Sequence, residues 1–206
     1  MTARDRILNR LLSARAGSRL PRVQPPPIPV APRPTVEVCV LRFEVEARAL
    51  GVECYVESSV ADVHSRLITL VEARRALSWD PAYLPYEAGM LMSQAMLGQA
   101  PRADLAMAEV GVTGCDAAVA ETGSLVMFSA PGRSRAVSLL PPFHIALVER
   151  RRLCFSMAEV FEAYRDRLAG SASCTFITGP SRTADIELTL TLGIHGPGRV
   201  AVIIGP

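Results

Sequence analysis

Apolar and polar positions follow two different periods along most of the chain. Apolar residues recur every three to four positions in segments that predict helices, at roughly 2–13, 37–50, 59–71, 86–97 and 156–168. Short apolar runs predict strands at Val52–Glu57, Ser124–Phe128, Phe143–Val148, Cys174–Thr178 and Val200–Ile204. Strands that alternate with helices predict an α/β fold, here a three-layer sandwich with a mainly parallel sheet.

Two of the predicted helices begin with a capping pattern. Ser59 and Ser156 each stand three residues before an acid, so the hydroxyl and the carboxylate can bind amides that the first helical turn leaves free. The segment Trp79–Pro85 has neither period and predicts a loop. The run VAVII at 200–204 is apolar at every position, as expected for a strand covered on both faces.

The first 34 residues differ in composition from the rest. Residues 2–13 predict a short amphipathic helix, and the segment Leu20–Pro34 is too rich in proline for helix or sheet, which predicts an extended connector. We therefore divide the chain into an arginine-rich helix with its connector, 1–34, and one α/β domain, 35–206. We expect the helix to dock on this domain or on a second subunit of a homo-oligomer.

The charged residues exclude several functions. All 22 basic residues are arginine, so a Schiff-base lysine and a phosphate-binding P-loop lysine are excluded. Seven arginines and one acid lie in residues 1–33, whereas the remainder has 15 arginines and 19 acids. The body is therefore slightly acidic despite the overall charge of +2, which argues against a nucleic-acid groove.

The five cysteines are scattered, odd in number and never spaced C-x-x-C. This pattern argues against a disulfide framework, a structural zinc or an iron–sulfur cluster in this chain. No apolar run approaches the roughly 20 residues that span a bilayer, and the lack of an apolar h-region near the start argues against a secretory signal. We expect a soluble protein in a reducing cytoplasm.

Four glycine-rich or polar segments interrupt the helix and strand pattern. They are GVTGCDAAVAETGS at 111–124, SLLPPFH at 138–144, TGPSRTADIE at 178–187 and GIHGP at 193–197. Ligands of open α/β sheets bind beyond the carboxyl ends of the strands. We expect the loop after Thr178 to leave a strand at that end and the other segments to gather there.

These four segments, in this order, resemble the LUD-domain family, and specifically its lactate utilization protein C branch. The resemblance covers about Gly111 to Pro206 and extends loosely through the helical part before it. It implies a fold like that of the NagB/RpiA/CoA transferase superfamily. It also implies a role in oxidising L-lactate to pyruvate beside two iron–sulfur partner proteins, with no redox cofactor in this chain.

The segment TGPSRTADIE predicts a cradle for a small carboxylate or phosphate at the start of a helix. Arg182 would be the main contact, Gly179 would let the backbone approach, and the amides of Ser181 and Thr183 would face the anion. The alternative is a plain strand-to-helix turn. In that case Thr183 caps the helix and Arg182 pairs with the acids at 185 and 187.

Three residues are candidates for catalysis. Glu121 stands before Thr122, Gly123 and Ser124, a predicted substrate-binding turn, and coenzyme A transferases place a nucleophilic glutamate before such a turn. The alternative has Glu121 binding backbone amides or an arginine. His144 and His195 are candidate proton acceptors because histidine titrates near neutrality; each could instead serve as a structural hydrogen-bonding group.

The preferred function is a subunit of a lactate-oxidising system that carries no cluster of its own. Lactate oxidation releases two electrons, so a partner must hold the redox carrier. The alternative is a self-sufficient enzyme of the NagB/RpiA/CoA transferase type on a small phosphorylated or CoA-linked substrate. A third interpretation is a purely structural assembly subunit.

Overall fold

The computed structural model describes residues 2–17, 34–184 and 190–206. The chain forms two compact units, Met1–Ala31 and Pro32–Pro206. In the first, helix α1 (Ala3–Gly17) starts with a reciprocal cap: the backbone N–H of Thr2 donates to Asp5 Oδ2 over 2.8 Å, and the N–H of Asp5 donates to Thr2 Oγ1 over 3.2 Å. The predicted first helix is confirmed. The predicted connector, except its last residue, lies outside the described residues.

The second unit alternates helices and strands. Its helices are α2 (Val36–Ala49), α3 (Val60–Val71), α4 (Arg102–Leu105), α5 (Ala136–Leu139), α6 (Met157–Ala163) and α7 (Arg165–Gly170). Its strands are β1 (Glu53–Val56), β2 (Ala76–Ser78), β3 (Met96–Leu97), β4 (Val110–Thr113), β5 (Ala117–Val119), β6 (Ser124–Phe128), β7 (Phe143–Glu149), β8 (Leu153–Cys154), β9 (Cys174–Ile177), β10 (Arg182–Ala184), β11 (Leu190–Leu192) and β12 (Arg199–Gly205). No helix in the described part of the chain is long and apolar enough to span a bilayer.

The main sheet has six strands in the order β1-β12-β7-β4-β2-β3, and every pair in it is parallel. Strands β7 and β12 have neighbours on both sides and are buried over nearly their whole length, which explains their continuous apolar runs. The predicted α/β fold with a mainly parallel sheet is confirmed.

Helices α2 and α3 cover this sheet through apolar faces. The hydroxyl of Ser59 accepts the N–H of Asp62 and starts α3, whose Val63, Leu67 and Leu70 are buried at helical spacing. Helix α3 packs on β12, whereas α2 contacts both β1 and β8. Helix α2 therefore lies between the main sheet and a second sheet.

The second sheet has four strands in the order β8-β5-β6-β9 and separates two cores. Successive residues of β5 and β6 face opposite sides: Ala118 and Leu125 belong to the main core, and Ala117 and Val126 belong to a smaller core completed by Val160 of α6. This alternation buries both faces of the second sheet.

The helix predicted at 86–97 is wrong. Residues 86–94 form a series of turns that lead towards β3, and Tyr86 and Glu87 have φ of 61° and 54°. The hydroxyl of Tyr86 donates to Val148 O over 2.7 Å and accepts the N–H of Gly205 over 3.2 Å. These bonds tie the segment to the ends of β7 and β12, and this tertiary anchor overrides the helical period.

The helix predicted after Ser156 is interrupted. It divides into α6 and α7 at Tyr164, where φ is −112° and ψ is 19°. The hydroxyl of Tyr164 donates to Asp116 O over 2.6 Å, which fixes the chain at the break.

Two expectations about the segment after residue 174 are also wrong. Strand β9 does not belong to the main sheet but pairs antiparallel with β6 in the second sheet. The helix predicted to start in TGPSRTADIE does not start at residues 182–184, because they form β10, which pairs antiparallel with β11 in a ribbon with Arg182 opposite Leu192. The signal was present in the sequence: polar and apolar residues alternate over 187–192, which is the period of a strand.

Removing residues 1–33 should leave the melting temperature within a few degrees of that of the full chain. The reason is that the buried hydrophobic core comprises residues between 39 and 204. Thermal unfolding followed by circular dichroism on both chains measures the difference. An insoluble shortened chain, or one that melts far lower, would show that the removed residues complete the core.

Candidate functional site

Most of the residues predicted from TGPSRTADIE and the ETGS turn gather at the carboxyl end of helix α2. Gly123 has φ of +63°, and a Cβ on it would lie 2.6 Å from the Ala47 N. Gly179, at φ +86°, packs on Leu50, the C-cap residue of α2, and the guanidinium of Arg182 donates to Leu50 O. The predicted turn and the predicted loop therefore share one neighbour.

A chain of hydroxyls links the two segments. Thr122 Oγ1 donates to Ser124 Oγ over 2.8 Å, and Ser124 Oγ lies 2.7 Å from Thr178 Oγ1. Ser124 is 1% exposed, so its hydroxyl is satisfied inside the protein. This series of hydroxyl groups links the start of β6 to the end of β9.

Glu121 binds a backbone amide, as one of the two interpretations of the sequence expects. Its Oε1 accepts the N–H of Met157, the first residue of α6, over 2.8 Å. Its own N–H donates to Phe155 O over 2.9 Å. A carboxylate in this position satisfies an amide that the start of a helix leaves free. A nucleophilic role for Glu121 stays a prediction.

The loop around Arg182 lacks the helical amides from which an anion cradle was predicted. The N–H of Ser181 donates to Pro197 O over 2.8 Å, and Thr183 pairs with Thr191 in the ribbon. The carbonyl that Arg182 binds belongs to the carboxyl end of α2, which carries partial negative charge and favours a cation over an anion. The acids at 185 and 187 lie outside the described residues. Ligand binding by Arg182 stays a prediction.

The two candidate histidines differ in environment. His144 is fully buried on β7, where Thr113 Oγ1 lies 2.9 Å from its Nε2, and its Nδ1 has no partner among the described residues. Burial lowers the pKa of His144 to about 4, so the ring is neutral at physiological pH. His195 is exposed in the loop between β11 and β12. Proton transfer by either ring stays a prediction.

A cavity of about 260 Å³ lies at the carboxyl ends of three strands of the main sheet. Its walls include residues of the segments that directly follow β2, β4 and β7. The cluster at the end of α2 lies at the opposite end of the sheet, because Leu50 precedes β1 and Pro197 precedes β12. Open α/β sheets bind ligands on the side where this cavity lies.

Asp116 organises one wall of the cavity. Its Oδ2 accepts the N–H of Phe128 over 2.8 Å and a bond from Arg133 Nη2, and its Oδ1 accepts Arg167 Nη1 over 2.6 Å. The carboxylate is 4% exposed. Two arginines therefore share one buried acid.

Arg133 is held in place by aromatic rings. Its guanidinium carbon lies 4.4 Å from the centre of the Trp79 ring and 6.0 Å from that of Tyr83. Gly132 makes the preceding turn at φ +75°, where a Cβ would lie 2.7 Å from Tyr83 Cε2. The Arg133 side chain is 9% exposed, and its Nε has no partner among the described residues.

Glu149 holds two more of the arginines that line the cavity. Its Oε1 accepts Arg151 Nη2 over 2.6 Å, and its Oε2 accepts Arg152 Nε over 3.3 Å. The cavity thus has four arginines and two acids in its walls, a formal charge of +2.

None of the individual candidate residues lines this cavity, but Gly114, Cys115 and Asp116 of the predicted segment 111–124 do. Its arginines come instead from PGRSR at 131–135, ERRR at 149–152 and helix α7. A usable signal was the run of three arginines directly after the apolar strand β7.

The described residues contain no group of three His, Cys, Asp or Glu side chains that could hold a metal ion. None of the five cysteines forms a disulfide, and they lie on four separate elements and one loop.

Comparison with known proteins identifies the family. The sequence profile of the LUD domain matches residues 76–204, which run from β2 into β12. This chain belongs to the LUD domain family. A protein of Deinococcus radiodurans named lactate utilization protein C is 32% identical over 206 residues, which cover 98% of this LUD chain and 95% of that protein.

Other relatives match over a shorter stretch. Lactate utilization protein C of Exiguobacterium is 42% identical over 101 residues, and that of Bacillus subtilis is 40% identical over 101 residues. These alignments span 47% of this chain but only 44% and 42% of those relatives. A crystal structure of a DUF162 family protein from Deinococcus radiodurans matches with a TM-score of 0.68 at 25% identity, covering 84% of this chain and 99% of that one.

Replacing Gly123 with Ala should destabilise the LUD domain by about 2 kcal/mol, because the left-handed φ strains a Cβ and the backbone of α2 blocks it. The expected fall in melting temperature is about 4–8 °C. Gly170→Ala is the matched control, since nothing lies within 4 Å of the added Cβ, and it should stay within about 1 kcal/mol of the unaltered protein. Equal melting temperatures for the two variants would contradict the close packing of Gly123 on α2.

Stability should fall as the pH is lowered from 6.5 towards 4, in part because of His144. The folded pKa of about 4 lies below the ordinary value of 6.5, so in this window only the unfolded chain takes up a proton at this residue. The contribution is complete above pH 6.5 and its loss amounts to about 3 kcal/mol over the window. His144→Gln removes the titration, so its melting temperature should fall less than that of the unaltered protein between about pH 7 and about pH 5. Equal falls in melting temperature for the two proteins over this pH range would show that His144 is not buried in its neutral form.

Proposed function

We propose that this LUD domain takes part in lactate utilization, as a subunit without its own redox cofactor that acts beside iron–sulfur proteins. The observation that carries the proposal is the alignment with the Deinococcus radiodurans protein named lactate utilization protein C, which spans almost the full length of both chains. The shorter alignments with relatives of the same name from Exiguobacterium and Bacillus subtilis support it.

The redox chemistry requires a partner in this proposal. Oxidation of L-lactate to pyruvate breaks the C2–H and O–H bonds, forms a C=O bond and releases two electrons with two protons. Iron–sulfur clusters of the partner proteins would accept the electrons, and an iron–sulfur cluster is held by thiolates that converge on it. Here Cys39, Cys54 and Cys154 are buried on α2, β1 and β8, which supports the assignment of the clusters to partners.

A second candidate is a self-sufficient enzyme that acts on a small phosphorylated substrate. The formal charge of +2 in the cavity at the carboxyl ends of β2, β4 and β7 favours it, because a phosphate monoester carries nearly two negative charges at neutral pH. The two candidates differ in whether the isolated chain turns over a substrate.

The isolated chain should not reduce a soluble dye with L-lactate, and dye reduction should appear when iron–sulfur partner proteins of a lactate utilization system are added. The physical reason is that an electron acceptor is needed and the proposal places it on the partners. The partner proteins without this chain are the control and should show lower activity. Robust L-lactate-dependent dye reduction by the isolated chain would refute the partner role.

Growth separates the two candidates in the cell. Deletion of the gene should abolish growth on L-lactate as sole carbon source but not on pyruvate, and the intact gene should restore it. Unimpaired growth on L-lactate after deletion would leave the second candidate.

A further inference from the structure

We infer that the cavity at the carboxyl ends of β2, β4 and β7 is a binding site for a small oxyanion, a carboxylate or a phosphate, held chiefly by Arg133 and Arg152. This site differs from the one predicted around Arg182, which lies at the other end of the sheet. The inference rests on the proposed function only for the choice of L-lactate and pyruvate as probes.

The charge of the walls favours an anion. Asp116 and Glu149 are each shared by two arginines, so two of the four positive charges have no acid of their own. The side chains of Arg151 and Arg167 are 73% and 42% exposed, so water solvates them. A positive charge without an acid of its own costs more free energy where the side chain is less exposed to water. A bound anion would offset that cost at the less exposed arginines.

Arg133 and Arg152 are these less exposed groups. Their side chains are 9% and 33% exposed. Both line the cavity, and each is held by a different acid, Arg133 by Asp116 and Arg152 by Glu149. An anion in the cavity would therefore lie beside both.

Arg133 has donors to spare. A guanidinium has five N–H groups, of which Asp116 accepts from Nη2; the buried Nε has no partner among the described residues, so Asp116 satisfies only part of the guanidinium. Because Asp116 and the ring of Trp79 already fix the orientation of the guanidinium, a ligand would pay little entropy to bind it. Planar donors in a fixed position suit the paired oxygens of a carboxylate or phosphate.

The size of the cavity limits the ligand. Pockets for drug-sized ligands range from roughly 300 to 1,000 Å³, and this one measures about 260 Å³. It therefore suits small oxyanions such as pyruvate, L-lactate and inorganic phosphate rather than a nucleotide or a whole coenzyme A.

Calorimetric titration of the full chain with pyruvate, L-lactate and inorganic phosphate tests the site. The unaltered protein should bind at least one of them. Arg133→Gln and Arg152→Gln should each weaken that binding about ten- to a hundredfold, the effect of losing one charge-assisted hydrogen bond. Arg42→Gln is the control, because the half-exposed Arg42 side chain pairs with Glu46 on α2, it does not line the cavity, and its loss should leave the affinity unchanged.

Two variants of cavity arginines are used so that the test still works if one of them fails to fold. Arg133→Gln removes a partner of buried Asp116 and can lower the melting temperature, whereas Arg152→Gln leaves Glu149 paired with Arg151. Thermal melts of each variant show which is folded, and the Arg152 variant alone suffices for the comparison. Preference for phosphate would make the ligand a phosphorylated compound, and preference for pyruvate or L-lactate would make it a carboxylate; either supports the site.

Three outcomes would overturn the site. One is that the unaltered protein binds none of the three probes at millimolar concentration. Another is that folded Arg152→Gln binds as tightly as the unaltered protein, and the third is that Arg182→Ala alone abolishes binding. Failure of the lactate proposal alone would give a different result. Phosphate would still bind in a manner that depends on Arg152, whereas growth on L-lactate would not depend on the gene.

Discussion

The buried carboxylate of Asp116 is the interaction on which the arrangement of the domain depends. It follows β4 of the main sheet, yet its side chain accepts the N–H of Phe128 and its own N–H donates to Val126 O, both on β6 of the second sheet. Its two oxygens also hold Arg133 and Arg167. A carboxylate that is 4% exposed is tolerated only because cations and amides surround it, and removal of one partner from such a pair typically costs roughly 3–5 kcal/mol.

One residue thereby couples the fold to the charge of the cavity. Asp116 fixes two arginines at the edge of the cavity but neutralises only one of them, so the structure that joins the sheets also creates excess positive charge beside the strand ends. At the other end of the same sheet the geometry is reversed. There the Arg182 guanidinium donates to the Leu50 carbonyl at the carboxyl end of α2, which carries partial negative charge. The charge of Arg182 is therefore partly balanced within the protein. The two ends of the sheet therefore differ in the charge they offer to a ligand.

The parts of the fold set by local pattern could be predicted from the sequence, and the parts set by tertiary contacts could not. The apolar run of β12 and the Ser59 cap of α3 act within a few residues of chain, so pattern alone identified them. The turns after Tyr86 depend on bonds to Val148 and Gly205, which are distant in sequence. The cavity was missed for the same reason, because its arginines come from three separate segments that only the fold brings together.

The first of the four segments that carry the family resemblance contributes mostly to the scaffold. In GVTGCDAAVAETGS, a Cβ on Gly111 would overlap the Val137 carbonyl, Gly123 packs on the backbone of α2, and Asp116 joins the two sheets. The arginines of the cavity lie outside this segment. Backbone packing requires particular small residues at particular positions, whereas excess charge can be supplied from any loop that reaches the strand ends. Similarity in this segment therefore bears on the fold, whereas a ligand at the proposed site would depend on arginines elsewhere in the chain.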